Sequence, residues 1–189
     1  LAALREAAGE FAIEAAAGLS LGEWTAHAAA GTFDFASGLK LVEKRGELME
    51  AACEATSGAM AAMIGADDTV VRTLAADTDV DIANLNAPGQ IIVSGERAKV
   101  ELAVSLAREH GIRRASMLTV AGAYHSRLMN SAYLQLGDAL PDVALQQPRF
   151  PVMTNVTGQV GESGGGIRRA LHEQLTSAVR WTDWMEAWP

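Results

Sequence analysis

Gly18-Leu19-Ser20-Leu21-Gly22 sets one hydroxyl between two glycines, and that spacing has a chemical use. A G-x-S-x-G between a strand and a helix makes a turn so tight that side chains two residues from the serine collide, so glycines flank it. The turn strains the serine backbone and projects its Oγ. It also leaves the Leu21 N–H at a helix N-terminus, aimed where a tetrahedral oxyanion forms. Chance occurrence in a chain rich in Ala and Gly is the rival explanation. Context favours the chemical one: Phe11 to Ala17 reads as a short buried strand, and residues 21–30 read as a helix ending at Gly31.

A serine nucleophile needs a base. Of the four histidines, His27 lies roughly two turns along the helix from Ser20, too far to reach its hydroxyl. His110 and His172 sit in charged helical stretches, Arg108-Glu109-His110 and His172-Glu173, and read as solvated. His125 follows the end of a strand and a loop containing Gly122, and it opens a new helix with Ser126 behind it. Loops at the carboxyl ends of strands are where α/β folds assemble sites. Ser20 and His125 are therefore the candidate nucleophile and general base.

The elements that must hold these two residues can be read from periodicity. Residues 1–9 read as helix, and a second long helix runs from about Phe35 to Ala55 with Leu39, Val42, Leu48 and Met49 as its apolar stripe. From Gly58 the pattern changes. Ala59–Ile64 reads as strand, Asp67 to Ala76 as helix, Val80–Asn86 and Gln90–Ser94 as a hairpin turning at Ala87-Pro88-Gly89, Glu96–His110 as a helix periodic in Val100, Leu102 and Leu106, and Arg114–Val120 as strand. That β-α-β-β-α-β order over 58–120 matches a ferredoxin-like unit. Ser126–Leu140 then reads as helix, Phe150–Asn155 as strand, and a Gly-rich loop from Gly161 to Gly166 leads into a helix over Ile167–Ala178.

Composition sets the outer limits. The 189 residues are 49% hydrophobic and 20% charged, an ordinary globular balance for one domain carrying a smaller insert. No apolar run approaches the roughly 18 residues of a membrane span, and the N-terminus shows no signal-peptide pattern. A lone cysteine, Cys53, excludes an internal disulfide and fits a reducing cytoplasm. The net charge of −8 argues against nucleic-acid binding. The chain has no initiating Met and closes on Trp188-Pro189 inside a helical pattern, so it is expected to be part of a longer chain.

Several stretches occur in an order that resembles the malonyl-CoA:acyl-carrier-protein transacylases. They are Gly18–Trp24, Glu43–Met49 (Glu-Lys-Arg-Gly-Glu-Leu-Met), Gly58–Gly65, Asn84–Gln90 with Val93-Ser94-Gly95, Ala123-Tyr124-His125-Ser126, Pro151–Val156 and Val179-Arg180-Trp181. The resemblance covers essentially the whole chain. It implies an α/β-hydrolase-like acyltransferase core over 1–57 and 121–189, a ferredoxin-like subdomain inserted over 58–120, and an active site in the cleft between them. It further implies that Ser20 carries the acyl group as an ester and that His125 serves as base and then acid. His125 would be oriented by the backbone carbonyl of Asn155 rather than by a carboxylate. Arg45 would bind the free carboxylate of malonate, a task suited to its planar fork; without the resemblance it reads as a surface charge on a helix. Gln90 would line the acyl pocket or serve as a plain turn residue. Tyr124 would fill the space a branched acyl group needs.

The implied partners are coenzyme A thioesters and the phosphopantetheine thiol of an acyl carrier protein, in fatty acid or polyketide synthesis. No cofactor, metal, nucleic acid or membrane is implied, and the setting is the cytoplasm. Lys40, Lys44, Arg113, Arg114, Arg127, Arg168 and Arg169 are candidates for a basic carrier-docking patch on this acidic chain. The chain departs from the family pattern at Leu19, where many members carry histidine, and the family's N-terminal Gly-Gln-Gly loop, source of a second oxyanion donor, and its C-terminal Gly-Pro-Gly motif have no counterpart here. Two rivals remain. A serine hydrolase or thioesterase would show an acid partner to His125 and no arginine in its pocket. An inactive docking fragment would not label with an acyl-serine probe.

Overall fold

The computed structural model describes residues 6–7, 9, 11–140, 143–162 and 164–187. The helix expected over 1–9 lies largely outside them. The fold is α/β with a mixed sheet.

Helix α1 (Leu21–Ala30) begins directly after Ser20 and stops at Gly31, whose φ of 78° ends it in the left-handed conformation. Helix α2 (Phe35–Glu54) is capped by Asp34, which accepts from the Ser37 N–H at 2.9 Å. Its buried face runs through Gly38, Leu41, Arg45, Leu48, Met49, Ala52 and Cys53. The stripe expected from Leu39 and Val42 is thus displaced: Leu39 is 57% exposed, and the stripe that packs is one that includes an arginine.

The next segment runs β1 (Gly58–Ile64), α3 (Asp68–Asp77), β2 (Asp81–Ala87), β3 (Gln90–Glu96), α4 (Arg97–Leu106) and β4 (Arg114–Met117). Strand β1 is central, antiparallel to β3 on one side and to β4 on the other. Strand β2 pairs antiparallel with β3. A fifth strand, β5 (Val179–Arg180), comes from outside 58–120 and pairs parallel with β2, so the sheet order is β4-β1-β3-β2-β5. Two residues of strand carry too little pattern to be seen in sequence.

Alternation along β1 sorts its side chains between two faces. Ala59, Ala61 and Met63 pack with Val71 and Leu74 of α3 and Val100 and Ala103 of α4. In α4 it is Ala103, not the expected Leu102, that is buried; Leu102 is 47% exposed. Met60 and Ala62 point the other way, with Ile92, Leu118, Val120 and Tyr124. A second core gathers Trp24 of α1, the buried face of α2, and helices α5 (Asn130–Ala139) and α6 (Gly164–Glu173). Helix α7 (Trp181–Ala187) closes the described chain.

Four expectations need correction. The segment 11–17 is not a buried strand: among the described residues its only ladder contact is Ala16 beside Val152, and Phe11 and Ile13 are half-exposed. Pro151 offers that ladder a carbonyl, taken by the Ala16 N–H at 2.9 Å, but no N–H with which to extend it. Strand 150–155 likewise shrinks to single bridges at Val152 and Met153. Helix α6 starts three residues earlier than expected, inside the glycine run, and ends at Glu173 rather than Ala178. Its buried Ile167, Ala170 and Leu171 hold it against the core, which overrides the low helix propensity of glycine. Ser126 begins as expected but heads a short 3-10 turn, Arg127–Met129, before α5.

Candidate active site

Ser20 has φ 52° and ψ −106°, a conformation side chains rarely adopt. The chain tolerates it because Gly18 lies against the backbone of Gly22; a Cβ on Gly18 would overlap that backbone, whereas one on Gly22 would meet nothing. Only the first of the two glycines is therefore required by space. Asn155 braces the same turn. Its side-chain Oδ1 accepts from the Ser20 N–H at 2.6 Å, and its Nδ2 donates to the Gly18 carbonyl at 2.7 Å. Leu21 opens α1, so its N–H is among the donors a helix leaves without an intrahelical acceptor.

The structure brings Ser20 and His125 together. His125 Nε2 lies 2.9 Å from Ser20 Oγ, although the residues are 105 positions apart. Its Nδ1 lies 2.8 Å from the backbone carbonyl of Gln174, which fixes the proton on Nδ1 and leaves Nε2 as acceptor. The expected orienting carbonyl of Asn155 is not the one used. That oxygen accepts from the Arg180 N–H at 2.8 Å instead, because Asn155 sits under the serine turn while the chain after α6 passes beneath the histidine. Burial pushes the His125 imidazolium down to about 4, and the nearby Arg45 charge acts in the same direction, so the ring is neutral at neutral pH.

Arg45 is 6% exposed. Its Nη2 donates to Ser20 Oγ at 2.7 Å and to Gln174 Oε1 at 3.1 Å, while its buried Nε has no partner. Burial lowers its pKa to about 10, offset in part by Glu23 and Tyr124. The reading of Arg45 as a solvated surface charge is excluded.

These groups open on a cavity of about 610 Å3 lined by Ser20, Arg45, His125 and Tyr124 together with Met60, Asn84, Asn86 and Ile92. Gln90 does not line it. It is exposed at the outer end of β3, one strand repeat beyond Ile92, and so is a hairpin residue.

Two residues of the site were not anticipated. Glu23, fully buried one turn after Ser20, accepts at Oε2 from the Asn155 N–H at 3.0 Å and from Gln174 Nε2 at 2.5 Å. Burial raises its carboxyl to about 7 despite those bonds. The available signal is a carboxylate in the first turn of a helix with no other acidic residue. Gln174 had none, since its contribution to His125 is a backbone carbonyl, which every residue has.

The remaining histidines stay apart from Ser20. His27 is buried and bonded to Thr32 at 3.0 Å, and burial pushes it down to about 4. His172 is not solvated as expected: it stacks on Tyr133 with ring centroids 3.8 Å apart and bonds to the Tyr133 carbonyl. His110 is likewise half-buried, 3.7 Å from Asp77. The candidate basic patch also thins. Arg127 is held by Asp79 and Asp81, Arg168 by the carbonyls of Leu140 and Val143, and Lys44 lies beside Glu47.

Residues 1–187 match the acyl transferase domain, and the chain belongs to that family. Within it, the chain is similar to the malonyl CoA-acyl carrier protein transacylase of Haemophilus influenzae, 40% identical over 177 residues that make up 92% of this chain and 57% of that protein. It superposes on the crystal structure of malonyl-CoA:acyl carrier protein transacylase from Xanthomonas oryzae with a TM-score of 0.91 at 41% identity, covering 98% of this chain and 60% of that one. A type II PKS acyl-carrier protein in complex with its malonyl-transacylase is a further match, with a TM-score of 0.89 at 36% identity over 98% of this chain and 61% of that chain. The chain thus spans about three fifths of these relatives' length. Among the described residues, no helix is long and apolar enough to cross a membrane.

Proposed function

We propose that this chain carries the acyl-transfer site of a malonyl-CoA:acyl-carrier-protein transacylase. Ser20 Oγ attacks the thioester carbonyl while His125 Nε2 takes its proton. The C–S bond breaks, and the coenzyme A thiolate leaves with the proton that His125 returns. The malonyl-Ser20 ester then meets a phosphopantetheine thiol, which gives its proton to His125 as its sulfur attacks the ester carbonyl; the Oγ–C bond breaks, and His125 returns the proton to Ser20 Oγ. The Leu21 N–H supplies one donor to the oxyanion of each step. No cofactor takes part, and the proposed setting is the cytoplasm.

The observation that carries this reading is Arg45 at the nucleophile. A buried guanidinium whose Nη2 lies 2.7 Å from Ser20 Oγ and whose Nε is unpaired offers a fork to an acyl group that ends in a carboxylate. Tyr124 and Ile92 close the apolar side of the same cavity. Against a hydrolase, the His125 partner is a carbonyl and an arginine stands in the pocket, the reverse of that rival's marks. The strand order β4-β1-β3-β2 supports reading 58–120 as a ferredoxin-like insert in an α/β-hydrolase-like core over 1–57 and 121–189, with β5 tying the two together. The test is partition: supplied with malonyl-CoA and a phosphopantetheinylated carrier protein, the enzyme should deliver malonyl to carrier. Free malonate as the main product would favour the hydrolase.

A further inference from the structure

Beneath the reacting groups lies one side-chain amide whose polar atoms are all engaged. Gln174 Oε1 accepts from Arg45 Nη2 at 3.1 Å and from Trp24 Nε1 at 3.3 Å. Gln174 Nε2 donates to Glu23 Oε2 at 2.5 Å and to the Ser20 carbonyl at 3.1 Å. The same residue gives its backbone carbonyl to His125 Nδ1. A carboxamide can turn over by half a rotation and exchange its oxygen for its nitrogen at little intrinsic cost. Of its four partners, Arg45 and Trp24 are donors only, and the Ser20 carbonyl and Glu23 Oε2, whether carboxylate or the carbonyl oxygen of the acid, are acceptors. Those partners leave one orientation. Turned over, the amide would set Nε2 against the guanidinium and the indole N–H, and its oxygen against the carboxylate.

Glu23 also reaches the Asn155 N–H at 3.0 Å, and Asn155 braces the Ser20 turn. Through one oxygen the carboxyl therefore touches the supports of Ser20, Arg45 and His125. It touches none of the reacting atoms. We propose that Glu23 is a positioning residue that fixes the orientation of the Gln174 amide, and through it the place of Arg45, so that preference for carboxylate-bearing acyl groups depends on the reach of the Glu23 side chain.

This rests on the malonyl reading above, and its test separates the two. Loading of Ser20 is measured with malonyl and acetyl N-acetylcysteamine thioesters, in the parent and in Glu23→Gln, Glu23→Asp and Glu23→Ala. Gln keeps an acceptor at the same reach without charge; Asp keeps the charge but is one methylene too short to span Gln174 and Asn155. Positioning predicts that the malonyl-to-acetyl ratio stays within about threefold of the parent in Glu23→Gln and falls by about tenfold or more in Glu23→Asp and Glu23→Ala. A ratio kept by Asp and lost by Gln would make the charge, not the reach, responsible and would overturn the proposal. An equal fall for both acyl groups in Asp would reduce Glu23 to a general structural role, also against it. If Glu23→Ala does not fold, the Gln and Asp variants decide. A parent that loads no malonyl at all would instead remove the functional reading on which this inference stands.

Discussion

Ser20 and His125 meet across 2.9 Å from two backbone positions that both have positive φ, 52° and 55°. Neither is glycine, and conformations of this kind cost of order 1–3 kcal/mol each unless the surroundings hold them. Here they are held. Asn155 grips the Ser20 turn from both sides, and Ser126, next to the histidine, ties its Oγ to the Ala123 carbonyl at 2.6 Å. The strain is spent on aiming an oxygen and a nitrogen at each other.

Rate should follow the ionisation of His125. Burial holds its imidazolium at about 4, below the ordinary 6.5, so the base form persists into mild acid. Malonyl loading under kcat/KM conditions should stay level from neutral pH to about 5 and then fall through a midpoint near 4. A midpoint at the ordinary histidine value would contradict the buried geometry. His125→Ala should slow both half-reactions by about 10² to 10⁴, since one ring serves as base and acid.

Arg45 should sort acyl groups. Truncating one partner of a desolvated charge pair costs about 2–5 kcal/mol, or roughly 30- to several-thousand-fold at 1.4 kcal/mol per decade. Arg45→Ala should lose that much malonyl loading while acetyl loading holds or rises. Parallel loss of both would make Arg45 a scaffold residue.

The two elbow glycines should behave differently on substitution. Gly18→Ala forces a Cβ into the Gly22 backbone, so it should unfold the turn and abolish loading. Gly22→Ala points into open space within α1 and should raise the melting temperature, by the ~0.5–1 kcal/mol that alanine gains over glycine in a helix. Equal damage from both would mean the close approach is misplaced.

Glu23 should leave a mark on stability against pH. Burial holds its carboxyl at about 7 against an ordinary 4.5. The folded protein therefore keeps that proton where the unfolded chain has lost it, and stability drains as pH rises from about 4.5 to 7. His27 and His125, both held at about 4 against 6.5, act in the other direction, losing stability as pH falls from about 6.5 to 4. Glu23→Gln removes only the first contribution. Its melting temperature relative to the parent should climb between about pH 5 and pH 8, by an amount equivalent to at most roughly 3 kcal/mol. A constant offset would show that Glu23 is not perturbed.

What could be read from residues alone divides along a physical line. The serine turn, the hairpin around Pro88-Gly89 and the helices flanking them are local, and their glycines, caps and periodicity announce them. His125 was found by its place after a strand. From residue type and periodicity alone Arg45 reads as a surface charge on a helix, and only the family resemblance puts it in the acyl pocket. Phased on Leu41, Leu48 and Ala52, the arginine falls on the buried face. The Gln174 carbonyl, the two-residue β5 and the reduced ladder at Ala16 depend on contacts between distant segments, and no residue type marks them in advance.

The central claim is that Ser20 carries malonyl. The protein incubated with malonyl-CoA and quenched in acid should gain the mass of one malonyl group, and peptide mapping should place it on Ser20. Ser20→Ala should gain none, and adding a phosphopantetheine thiol should discharge the adduct from the parent. No adduct on a folded parent, or one that survives in Ser20→Ala, would contradict the account.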